Sequence, residues 1–143
     1  MSVVIYTDGG ARGNPGPAGA GVVIYDGDPS TNSGQAKKIA EVKKFLGERQ
    51  TNNWAEYEAL VLALQEAKKR GLVKKAIEIR MDSELIVKQM NGEYQIKEET
   101  LWAQYMKVHN LLVANFEDVK FVHVRREENK EADALVNEAL DSA

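Results

Sequence analysis

The chain has 143 residues, 43% of them apolar, enough for one compact domain (1–143) with its own core and too few for two. Its net charge of −3 and sequence pI near 5.5 argue against a polyanion binder held by a broad basic surface. With no Cys, disulfides and thiolate zinc sites are excluded, and two His nearly exclude a His-rich site, so any metal must be held by oxygen.

The first element is Val3-Val4-Ile5-Tyr6-Thr7, short, β-branched and aromatic, a strand expected to stop at Asp8-Gly9-Gly10. The N-terminus reads straight into it with no basic leader, and no run approaches the ~20 apolar residues of a bilayer span, so the cytoplasm is the expected location and no membrane is expected as a partner. Gly13 to Pro17 prolongs the loop with ordinary turn chemistry, Gly21 to Tyr25 is a second strand, and Asp26 to Gly34 is a polar turn. A third strand falls within Lys37 to Leu46, where Val42-Lys43-Lys44-Phe45 breaks simple alternation.

From Asn53 to Arg70 the residues Ala55, Ala59, Leu60, Ala63, Leu64 and Ala67 mark the apolar face of a long helix, with an Asn as its cap and Gly71 as its stop. Ala76 to Met81 alternates as a strand. Asp82-Ser83-Glu84 opens a short helix ending near Asn91-Gly92, Thr100 is placed to cap a third helix, Val119 to Val124 is the last strand, and Asn129 caps a final helix from Lys130 to Leu140. Short loops between the first three strands favour an antiparallel meander, and helical crossovers add parallel strands. The expected fold class is α/β, a five-stranded mixed sheet flanked by helices. Trp54, Tyr57 and Trp102 sit at helical positions and read as core, and His109 reads as a surface residue.

Four carboxylates stand out by position. Asp8 and Asp82 follow strands, and Glu56 and Asp133 fall near helix starts, so all four can face one edge of the sheet, where open α/β sheets gather their reactive groups. Any single acid among 22 is more often a solvated surface group, and Asp82 also fits a helix cap. Together, however, the four would repel one another, and a hard divalent cation offsets that repulsion. An all-oxygen site with open positions suits two-metal displacement at phosphorus.

Four segments then line up in order: Tyr6-Thr7-Asp8-Gly9-Gly10-Ala11-Arg12-Gly13-Asn14-Pro15-Gly16, Gln50-Thr51-Asn52-Asn53-Trp54-Ala55-Glu56, Met81-Asp82-Ser83 and Glu128-Asn129-Lys130-Glu131-Ala132-Asp133. In sequence and spacing this set resembles the successive motifs of the type 1 ribonuclease H family, over nearly the whole chain. The resemblance implies a ribonuclease H-like fold and endonucleolytic cleavage of the RNA strand of an RNA–DNA hybrid, leaving 5′-phosphate and 3′-hydroxyl ends. It matches Asp8, Glu56, Asp82 and Asp133 to the family's catalytic metal ligands for Mg²⁺, with Mn²⁺ as a substitute and two ions when substrate is bound. It places Asn14, Thr51, Asn52 and Asn53 among the substrate contacts, with Asn14 and Thr51 at a phosphate pocket for the DNA strand; Gly9 and Gly10, which let backbone approach a sugar closely, with Ala11 and the basic Arg12 of the same loop, complete the candidate substrate-binding set. Amides, hydroxyls and loop N–H groups hold phosphates without many lysines, and 2′-hydroxyls distinguish RNA from DNA in a shallow groove.

Two departures from the family pattern follow. The segment Asn91 to Glu99 carries only Lys97 where some members have a basic helix, which predicts weaker, more salt-sensitive binding or help from an accessory partner, in a protein expected to be a monomer. Many members carry a mobile His before the last carboxylate. Here His123 reads as a strand residue, and Arg125 or Arg126 in the short loop 125–128 is the candidate substitute. Other readings are a non-catalytic nucleic-acid-binding module, opposed by the presence of all four carboxylates, and a DNA nuclease on the same fold, opposed by the Thr51-Asn52-Asn53 motif.

Overall fold

A computed structural model of the chain describes residues 2–31 and 34–143. The elements in order are β1 (Ser2–Ala11), β2 (Gly16–Asp26), β3 (Lys37–Gln50), α1 (Asn52–Lys69), β4 (Ala76–Met81), α2 (Glu84–Met90), α3 (Glu99–Asn115), β5 (Asp118–His123) and α4 (Lys130–Asp141). The sheet order is β3-β2-β1-β4-β5. β2 pairs antiparallel with both β1 and β3, while β4 pairs parallel with β1 and with β5. The expected meander with parallel additions is thus present, flanked by helices on both faces.

Alternation along β1 sends Val3 and Ile5 to one face and Val4 and Tyr6 to the other. The first face carries the main core, closed by Leu60 and Leu64 of α1, Ile86 of α2 and Val108 of α3. The second is smaller and is covered by Ala132 and Leu135 of α4. Among the described residues no helix is long and apolar enough to cross a membrane.

Several local expectations are corrected. β1 does not stop at Asp8 but runs to Ala11, because Asp8 to Ala11 pair with Gly21, Ala20, Gly19 and Ala18 of β2. Ladder hydrogen bonds need only backbone, so these glycines sit in strand rather than turn. β2 accordingly begins at Gly16, and β3 continues to Gln50 as an edge strand whose register shifts near its Gly47 pairing. With half of its residues exposed and only Ala40 buried, β3 has little need of alternation, which accounts for its blurred pattern. The cap of α1 is Thr51, whose side chain accepts from Trp54 N at 3.2 Å, and not the expected Asn. Thr100 does not cap α3, which starts at Glu99 after Glu98 with no side-chain cap. Trp102, expected in the core, is 47% exposed on the outer face of α3. Asn32 and Ser33 of the expected polar turn lie outside the described residues.

One buried charge organises the second face. Arg80 of β4 donates to Asp28 Oδ2 at 2.7 Å, Glu78 Oε2 at 2.6 Å and the Tyr6 hydroxyl at 2.8 Å. It anchors the β2–β3 connection against the sheet, and its guanidinium pulls the Asp28 carboxyl down to about 2.

Candidate active site

The parallel ladder between β1 and β4 ends at the pair Thr7 and Met81. Asp8 and Asp82 are therefore the next residues on two adjacent strands, which places them side by side although β1 itself continues. Two glycines then let helices approach Asp8 from opposite faces. A Cβ on Gly9 would lie 2.1 Å from Ala55 O, so α1 packs directly on the strand backbone there. Glu56 follows Ala55, and its Oε1 accepts from Gly9 N at 3.4 Å. Gly21 is the cross-strand partner of Asp8, and a Cβ on it would lie 2.4 Å from Ala132 O, so α4 packs equally close and presents the next residue, Asp133.

The four predicted carboxylates line one groove of about 400 Å³. One oxygen each from Asp8, Glu56 and Asp82 lies within 4.8 Å of the others. Asp133 stands at the exposed side of this group, outside that tight set, and its charge reaches both Asp8 and Asp82. Burial, aided by the charges of Asp82 and Asp133, pushes the Asp8 carboxyl up to about 7. Burial and the neighbouring Asp8 push Glu56 well above the usual carboxylate range. Asp82 is raised by burial against the opposing charge of Arg126. Glu56 Oε2 is buried with no hydrogen-bond partner. Converging buried carboxylates and an unpartnered oxygen fit a divalent cation held by hard oxygen donors.

The remaining predicted site residues divide. Gly9, Gly10, Ala11, Arg12, Asn52 and Asn53 line the groove, joined by Ser83, which its motif contains without a role assigned to it, and by Asn137, which no motif contains. Asn14 and Thr51 do not line it. Asn14 Oδ1 accepts from Asn52 N at 3.0 Å, and Asn52 Oδ1 accepts from Ala11 N at 2.8 Å, so the first loop is tied to the start of α1. Arg12 is held against α4 by Asp141 at 2.7 Å and Asn137 at 3.2 Å, a pairing across distant sequence that no local signal announces. Arg126 lines the groove, whereas Arg125 lies outside it, paired with Glu127 at 3.5 Å and Glu128 at 3.3 Å. His123 ends β5, exposed and opposite Met81, outside the groove lining. Between α2 and α3 only residues 91–98 intervene, without a helix.

Residues 6–139 match the family model described as reverse transcriptase-like. The chain is 42% identical over 138 residues to the ribonuclease HI of Halobacterium salinarum, covering 96% of this chain and 64% of that protein. It is 42% identical over 143 residues to a bifunctional protein of Mycobacterium tuberculosis, covering 100% of this chain and 36% of the relative. The chain thus spans about a third of the mycobacterial relative and under two thirds of the halobacterial one. Among solved structures, LC11-RNase H1 in complex with an RNA/DNA hybrid superposes with a TM-score of 0.87 at 46% identity, over 98% of this chain and 97% of that one. With the ordered motifs, the sheet order and an end-to-end structural match agreeing, the chain belongs to the ribonuclease H family, type 1.

Proposed function

We propose that this chain is a metal-dependent endoribonuclease that hydrolyses the RNA strand of RNA–DNA hybrids, leaving 5′-phosphate and 3′-hydroxyl ends. The observation that carries it is the cluster of Asp8, Glu56 and Asp82 oxygens within 4.8 Å of one another in a groove that Asp133 also lines. Asp8, Glu56, Asp82 and Asp133 would hold Mg²⁺, or Mn²⁺ in its place, with two ions when substrate is bound. Such a cation keeps the carboxylates ionised and supplies an activated water and charge stabilisation at the phosphate.

The chain's own groups account for binding and orientation. Asn52 uses its Oδ1 on Ala11 N, which leaves its amide NH₂ to donate to the substrate, and Asn53 borders the same groove. Asn14 and Thr51, bound to the start of α1, brace that surface more than they reach into it. Arg126 sits where it can face a phosphate oxygen, while Arg125 is held away by Glu127 and Glu128. With Lys97 the only basic residue in 91–98, the protein, taken as a monomer, should bind hybrid in a strongly salt-dependent way, unless an accessory partner adds contacts.

Labelled hybrid, duplex RNA and duplex DNA, each incubated with Mg²⁺, Mn²⁺ or EDTA, test this reading. Cleavage of the hybrid's RNA strand with either metal and none with EDTA is the expected result. Failure to cut any substrate, or indifference to EDTA, would refute it.

A further inference from the structure

Asn129 precedes α4 and occupies its cap position, yet its side chain makes no capping hydrogen bond. A capping Asn would accept an N–H from the first turn of its own helix. Instead the side chain is buried, 1% exposed, and turned toward the strand ends. Its Nδ2 donates at 2.9 Å to Thr7 O, the carbonyl immediately before Asp8, where the ladder to β4 ends. Its own backbone oxygen accepts from Asp133 N at 3.1 Å, the bond that starts α4. Its Oδ1 is buried with no hydrogen-bond partner, an unfavourable arrangement that a simple helix cap would avoid.

We infer that Asn129 is a positioning residue that fixes Asp133 relative to Asp8 by joining the end of β1 to the start of α4. Asp133 lies 125 residues from Asp8 along the chain, and this one residue touches both segments. Its deletion should loosen the spacing of the carboxylates rather than remove a ligand. Groups that orient metal ligands typically change affinity or activity by about 10- to 100-fold when removed. The inference rests on the metal-dependent reading above.

The test compares wild type with Asn129→Ala and Asn129→Asp, the latter keeping the size and losing the donor. Magnesium binding is followed by calorimetry and by the rise in melting temperature with Mg²⁺ alone, and hybrid cleavage by separate kcat and KM, at a temperature where circular dichroism reports a full fold. Both variants should need at least fivefold more Mg²⁺ to reach half-saturation and lose at least tenfold in kcat, with KM within threefold of wild type. Should either variant fail to fold, NMR of the wild-type protein serves instead: the Asn129 side-chain amide signals should exchange slowly with solvent and shift on Mg²⁺ addition. Wild-type metal affinity and kcat in the folded variants, or an Asn129 amide that exchanges freely and ignores Mg²⁺, would overturn the inference alone. A wild-type protein that neither binds Mg²⁺ nor cuts hybrid would overturn the metal-dependent reading with it.

Discussion

Removing the charge of Asp8 should stabilise the metal-free protein at neutral pH while ending its activity. In the folded chain the Asp8 carboxyl is raised to about 7 from an ordinary value of 3.8, chiefly by burial and by Asp82. Between those two values the folded state holds a proton that the unfolded state releases, so stability falls as pH rises through the window and the penalty is complete above pH 7. The rise from 3.8 to about 7, at roughly 1.4 kcal/mol for each tenfold change in proton affinity, sets a ceiling of about 4 kcal/mol. For a chain of this size that corresponds to a melting shift of about 10 °C. Glu56, raised in the same direction, adds to the slope. Metal-free wild type should therefore melt lower at pH 8 than at pH 5, Asp8→Asn should flatten the profile and melt higher at pH 8, and Mg²⁺ should raise only the wild type appreciably. Differential scanning calorimetry with EDTA or Mg²⁺ reads all three. Identical profiles for wild type and Asp8→Asn, or a wild-type melting temperature indifferent to Mg²⁺ at pH 8, would refute the reasoning.

Gly9→Ala would place a Cβ 2.1 Å from Ala55 O and force α1 off the strand, so a loss of about 3 kcal/mol or more is expected in urea unfolding. Gly21→Ala meets Ala132 O at 2.4 Å and should shift α4, weakening Mg²⁺ binding together with stability, as calorimetry would register. Arg126→Ala should slow single-turnover hybrid cleavage, whereas Arg125→Ala should leave it near wild type, since only Arg126 lines the groove. Arg80→Met would leave Asp28 and Glu78 without their shared cation and should destabilise the fold by about 3 kcal/mol with the cleavage rate of folded protein unchanged. In wild type the Asp28 contribution is complete above pH 4 and is lost as pH falls toward 2, which acid unfolding of wild type against Arg80→Met would reveal.

The class of the fold and the candidacy of the four carboxylates were legible in the residues alone. Small and apolar residues recur at helical spacing along α1 and alternate in β4, and the absence of Cys with only two His left oxygen as the metal donor. The ordered motifs around Asp8, Glu56, Asp82 and Asp133 pointed to the family without any tertiary information. Relations that depend on packing between distant segments were not legible there, because local sequence carries no signal for them. Gly9 and Gly10 read as a turn because glycine composition is a local signal, yet they lie in strand, where α1 comes close enough to Gly9 to leave no room for a side chain. Trp102 read as core because helical spacing cannot say which face of α3 meets the sheet. Arg12 and Arg126 are both exposed basic loop residues by sequence, and only the folded chain brings both to the groove and, through the packing of α4, ties Arg12 to Asp141. Asn129 looked like a cap, because cap preference is local, while its bond to Thr7 crosses 122 residues and exists only once the sheet and α4 have met.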